Sequence, residues 1–83
     1  MAGSGGALNR AFGRAIRGLR GRAGLSQEEL AARSGLHRTY ISILERGKRS
    51  PTLDTIAALA HALRRSPHLL IRKAEIASRS ERG

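Results

Sequence analysis

Arg38, Thr39, Ser42, Ile43 and Arg46 lie close together in the run HRTYISILERG. Wound into a helix at about 100° per residue, Thr39, Ser42, Ile43 and Arg46 point away from the apolar stripe that Ile41 and Leu44 define. A guanidinium at the head of such a helix, followed by hydroxyls, offers hydrogen-bonding groups with no nucleophile set beside a base. The chemistry of that face is recognition, because an arginine presents a planar fork of donors suited to phosphate oxygens and to the paired acceptors of guanine. The other chemically capable side chains are His37, His61 and His68. With no Cys in the chain and few carboxylates nearby in sequence, the three histidines form neither a metal-ligand spacing nor an acid–base arrangement. Surface or helix-capping roles account for them. No catalytic residue, metal or cofactor is expected, and no small-molecule ligand is indicated.

Five helices must position that face. Phe12, Ile16, Leu19 and Ala23 recur at helical spacing, with Arg10, Arg14, Arg17 and Arg22 outside the stripe, which predicts a first helix ending near Gly24. Ser26 followed by Glu29 is a capping box that opens a second helix from Gln27 to about Arg33. Its apolar side is Leu30 with Ala31, and Gly35 permits a sharp turn into a third helix over roughly His37 to Arg46. Thr52 caps a fourth helix with an apolar stripe of Leu53, Ile56, Leu59, Ala60 and Leu63. Ser66-Pro67 opens a fifth, with the proline where its missing amide costs nothing. Leu69, Leu70, Ile71 and Ile76 on that helix exceed what one small core can cover, so part of this surface is expected to meet a second subunit. Residues 1–7 read as a flexible Gly-rich arm, 8–77 as the folded domain and 78–83 as a polar tail. Helices two and three have the layout of a helix-turn-helix that reads DNA.

The residues that carry this pattern are Gly24 to Ala31 (GLSQEELA), Gly35, Arg38 to Ser42 (RTYIS) and Leu44 to Pro51 (LERGKRSP). Together they resemble the phage repressor and Cro-like, XRE-type helix-turn-helix family, and HRTYIS followed by ERGKRSP is especially similar to the controller proteins of restriction-modification systems. The resemblance spans about Leu8 to Ile71. It implies an all-α fold in the form of a compact five-helix bundle, a homodimer, and binding to a pseudo-palindromic operator in double-stranded DNA. It places Arg38, Thr39, Ser42 and Ile43 at base edges in the major groove, with Arg38 the leading reader through guanine O6 and N7. Ile43 departs from the polar residue often found there, and either meets a thymine methyl or is exposed without a role. Ser26 and Gln27, at the start of the second helix, resemble the family's phosphate clamp, and Arg46, Lys48 and Arg49 join them as phosphate contacts. Tyr40 has two readings, a hydroxyl reaching a phosphate or a half-buried core tyrosine. Arg20 and Glu45 match an ion pair of this family and are assigned to structure, since a carboxylate facing DNA would be repelled by phosphates.

Charge agrees with a polyanionic partner: sixteen basic against six acidic residues give a net charge of +10, and fourteen of the sixteen are Arg. A charge excess can equally be a solvated surface, and alone does not separate DNA from RNA or an acidic membrane. The narrow major groove of RNA excludes a helix, and Phe12 and Tyr40 are too few to make a stacking platform for single strands. No run of about 18 apolar residues occurs and the N-terminus lacks the order of a signal peptide, so no membrane association is expected and a cytoplasmic location is the default. The leading expectation is a homodimeric transcriptional regulator. The alternatives are an antitoxin-type DNA-binding protein that also binds a toxin, and a non-regulatory protein-interaction or RNA-associated module.

Overall fold

A computed structural model describes the backbone of residues 2–82 and the side chains of residues 6–80. Five helices follow one another: α1 (Ala2–Arg22), α2 (Gln27–Ser34), α3 (Arg38–Glu45), α4 (Leu53–Leu63) and α5 (Pro67–Arg82). The long helices α1 and α5 pair most extensively, and α2, α3 and α4 close over the remaining side of the core. Ile16, Leu30, Ile41, Leu44, Leu59 and Leu70, at least one from each helix, are buried almost completely. Burial of each stabilises the fold by about 1.5–3 kcal/mol, which makes this set the main cohesive element of a small domain.

The caps explain the starts of α2 and α4. Ser26 Oγ accepts from the Glu29 amide at 3.0 Å and the Glu29 carboxylate accepts from the Ser26 amide at 2.8 Å. Thr52 Oγ1 likewise accepts from the Thr55 amide at 3.1 Å. Gly35 ends α2 in the left-handed conformation at φ 73°, and its amide donates to the Ala31 carbonyl. At the end of α4 the same role falls to Arg64, at φ 58°, a conformation that a side chain disfavours.

Several expectations need correction. α1 begins at Ala2, so residues expected to form a Gly-rich arm continue the helix; once a helix is nucleated, each further residue adds a hydrogen bond that offsets the conformational cost of glycine. Met1 and the side chains of residues 1–5 lie outside the described residues. At the other end Ser78, assigned to a tail, is buried in α5 and donates to the Glu75 carbonyl at 3.0 Å. The rest of that tail is helical to Arg82, with Gly83 and the side chains of residues 81–83 outside the described residues. Ala23 and Leu53, placed on apolar stripes, are exposed, Leu53 to 83%. Ala23 lies just past the end of α1 and Leu53 is the first residue of α4, so neither is carried onto the core by a full helical turn on both sides.

The fifth helix is turned differently from the expectation. Leu70, expected at a subunit interface, is wholly buried in the chain's own core, and Ala74 and Ser78 follow it inward at intervals of four. The short side chain of Ala74 allows α5 to lie close on α1. Leu69 is half-buried, while Ile71 and Ile76 are exposed to 41% and 50%.

Candidate DNA-recognition surface

The eight residues of α3 divide cleanly. Ile41 and Leu44 are buried, Glu45 is nearly so, and Tyr40 packs its ring partly against the core. Arg38 and Thr39 are exposed, Ser42 and Ile43 half-buried, and Arg46 at the C-cap exposed. Of the five predicted side chains, Arg38, Thr39 and Arg46 are thus open to solvent, and Ser42 and Ile43 only in part. His37 occupies the N-cap without a side-chain capping bond, and Arg38 and Thr39, the first two residues of the helix, are exposed.

Glu45 fixes α3 to the rest of the molecule. Its carboxylate accepts from Arg20 Nε at 2.7 Å and Arg20 Nη2 at 3.0 Å, a two-point pairing, and from Gln27 Nε2 at 3.0 Å. Arg20 Nη1 donates in addition to the Leu25 carbonyl at 3.0 Å, tying the turn between α1 and α2 into the same knot. The Glu45 hydrogen bond raises the Arg20 pKa above its ordinary value against the opposing effect of burial. Within the capping box, the bonds from Ser26 hold the Glu29 carboxyl below its ordinary value. The Arg20–Glu45 pair stands where the motif placed it, directed into the fold and away from the exposed face of α3.

Other predicted contacts sit as follows. Ser26 is exposed at the α2 cap; Gln27, half-buried, turns its amide NH₂ toward Glu45. Lys48 and Arg49 are exposed just beyond α3. The Tyr40 hydroxyl lies 3.3 Å from Thr55 Oγ1, which the capping residue Thr52 also holds at 3.1 Å. Tyr40 thereby joins α3 to the first turn of α4. Among the described residues no three His, Cys, Asp or Glu side chains cluster as metal ligands, and no helix is long and apolar enough to cross a membrane.

Three positions escaped sequence reasoning. Gly13 faces the end of α3 so closely that a Cβ there would stand 2.6 Å from the Glu45 carbonyl oxygen and nearer still to that of Leu44. Gly47, at φ 70°, would carry a Cβ 2.6 Å from the Arg10 Cα. A glycine inside a strongly helical pattern is the available signal for such a crossing, because it costs about 1 kcal/mol relative to Ala unless close approach requires it. The third is Glu28, whose Oε2 lies 3.1 Å from Arg38 Nε across the turn between α2 and α3.

A five-helix fold in which α2 buttresses α3, and α3 turns a basic and hydroxyl-bearing face outward, defines a DNA-binding helix-turn-helix protein of the transcription-regulator class. Residues 16–70 match the helix-turn-helix family model HTH_3, and the chain belongs to that family. It is 52% identical over 59 residues, 70% of each chain, to the control protein C.SmaI of Serratia marcescens. Among solved structures it is similar to the restriction-modification controller protein C.AhdI of Aeromonas hydrophila, with 48% identity, a TM-score of 0.72, and 74% of this chain and 92% of that one covered. It is also similar to the C.Esp1396I controller tetramer in complex with its natural 35 base-pair operator, with 30% identity, a TM-score of 0.76, and 86% and 93% covered.

Proposed function

We propose that this protein is a sequence-specific regulator of the restriction-modification controller type, acting as a homodimer on an inverted-repeat operator with α3 in the major groove. The observation that carries the reading is the division of α3, whose inner half is locked by Leu44 and the Arg20–Glu45–Gln27 knot while Arg38, Thr39 and Arg46 are exposed and Ser42 and Ile43 partly so. Likeness to control proteins, one of them solved on its operator, supports it. Arg38 reads guanine, Thr39 and Ser42 supply shorter donors and acceptors, and the exposed part of Ile43 meets a thymine methyl. Gln27 commits one amide hydrogen to Glu45 and has a second to donate to a phosphate. The Ser26 hydroxyl accepts inside its cap and donates outward. Arg46, Lys48 and Arg49 add charge to the same backbone contacts. Tyr40 acts through Thr55 to brace α3, with its hydroxyl at the edge of the phosphate track.

The dimer face is proposed around Ile71. Ile71 borders an apolar hollow of about 140 Å³ lined also by Leu8, Phe12, Pro51, Ile56 and Ala74, and the exposed Leu53 sits one turn before Ile56. Ile76 lies instead over a separate groove between α1 and α5, with Leu19, Lys73 and Arg22. Selection of binding sites from random duplex DNA, followed by footprinting, tests the function directly. An inverted repeat protected on both half-sites is the expected result. Arg38→Ala should then weaken binding by about 1–3 kcal/mol and relax preference at one base pair per half-site. Equal loss on selected and random duplexes would reduce Arg38 to a phosphate contact.

A further inference from the structure

We propose that Glu28 is a specificity-determining residue, which aims the Arg38 guanidinium at a base and withholds its charge from phosphates. The inference rests on reading Arg38 as the base contact. Glu28 stands on the first turn of α2 and Arg38 opens α3, so their ion pair spans the turn between the two helices at 3.1 Å. Both side chains are more than half exposed, at 67% and 56%. An exposed pair of this kind stabilises a fold very little, so its consequence lies in where it keeps the guanidinium. Arg is long and rich in rotamers, and a carboxylate at Nε restrains the stem while the terminal edge, carrying Nη1 and Nη2, stays available to the O6 and N7 acceptors of guanine.

The pair discriminates because its two possible fates on DNA differ. At a guanine, Arg38 reaches the base with Nε still beside Glu28, so neither charge is stranded. On random sequence, Arg38 is drawn to a phosphate, and leaving Glu28 for it would turn an unpartnered carboxylate toward the polyanion. Glu28 therefore penalises the non-specific complex more than the specific one, which is discrimination by a repulsive element. The helices that hold the two residues are fixed by the Gln27–Glu45 bond, so the pair is offered to the duplex as a unit.

The test uses the full chain and the variants Glu28→Gln, Glu28→Asp, Arg38→Ala and Glu28→Gln/Arg38→Ala. Each is titrated over a salt series with the duplex recovered by selection and with a random duplex of equal length. Glu28→Gln should bind the random duplex more tightly, with a salt slope steeper by about 0.9, the equivalent of one phosphate. Its specific-to-random affinity ratio should fall about three- to tenfold, part of the discrimination that one bidentate base contact supplies. Glu28→Asp keeps the charge but is one methylene too short, so it should lower the ratio without changing the slope. In the Arg38→Ala background, Glu28→Gln should leave the ratio unmoved. A ratio that Glu28→Gln leaves at its wild-type value, or one it lowers equally without Arg38, overturns the proposal. A ratio unchanged by Arg38→Ala alone removes the base-reading role itself, a separate failure visible in the same data.

Discussion

Glu45 belongs to the scaffold that holds α3, bonded inward to Arg20 and Gln27. It carries a negative charge in a molecule of net charge +10 that is proposed to bind a polyanion, yet its carboxylate is turned inward and takes three hydrogen bonds from Arg20 and Gln27. Removing Arg20 leaves the buried Glu45 charge without its counter-charge, which costs more than the net value of the pair. Arg20→Ala should therefore destabilise the fold by about 3 kcal/mol, a fall of roughly 12 °C or more in melting temperature for a domain of this size. Glu45→Gln keeps the shape and part of the bonding and should fall between that variant and the wild type. Thermal melting by circular dichroism checks both, alongside the preferred binding site, which should be unchanged wherever the protein is folded. A Glu45→Gln protein of undiminished melting temperature and altered site preference would move Glu45 from the scaffold to the recognition surface. Arg38 has the opposite character: its only charged partner among the described contacts is the exposed Glu28, so its substitution should alter binding with little effect on stability.

How α3 is held explains what the sequence disclosed and what it concealed. Helix starts were legible because their signals are local: Ser26 with Glu29, and Thr52 with the amide three residues on, are read within one turn. The outward face of α3 was legible for the same reason, since one apolar stripe in eight residues fixes which half is buried. The Arg20–Glu45 pair is not local, and was placed only because a family motif carried it. Tertiary approaches left no such trace. Gly13 lies under the last carbonyls of α3, and periodicity treats it as a gap in a stripe. The rotation of α5 leaves no trace in its count of apolar residues, because the inward line is set by Leu70, Ala74 and Ser78 at intervals of four, two of which are small. Gly13→Ala tests the crossing: its added methyl would meet backbone, not a side chain that can swing aside, so α1 and α3 must part. Overpacking of this kind costs about 1–3 kcal/mol, although an exposed helical Gly→Ala change ordinarily stabilises. Gly18, which has open space around its missing Cβ, is the control, and Gly18→Ala should raise the melting temperature where Gly13→Ala lowers it. Equal responses would mean that the close approach of α1 to α3 does not limit stability.

For the molecule as a whole, a single α3 offers at most a few base contacts, whereas the net charge attracts any duplex. Useful discrimination against random DNA then requires two recognition helices held at fixed separation, about 34 Å for successive major-groove faces, so that correct contacts add while phosphate attraction remains common to both complexes. The proposed two-fold contact through Ile71, with Leu8 beside it, would hold two recognition helices at one fixed separation and cover apolar side chains that the monomer leaves in water. Ile71→Asp puts a charge at the centre of the contact without entering the core, because Ile71 is 41% exposed in the isolated chain. The variant should therefore sediment as a folded monomer in sedimentation equilibrium at tens of micromolar, a concentration at which the wild type is expected to be dimeric. On DNA it should retain a salt-dependent affinity for random duplex, with a slope of about 0.9 per phosphate contacted, while losing most of its preference for the inverted repeat. Ile76→Asp, over the α1–α5 groove, should leave the dimer intact. If Ile76→Asp dissociates the dimer and Ile71→Asp does not, the two-fold axis passes through the other face of α5. A wild-type monomer at those concentrations would remove preformed dimerisation, leaving the spacing of the two recognition helices to be set on the DNA.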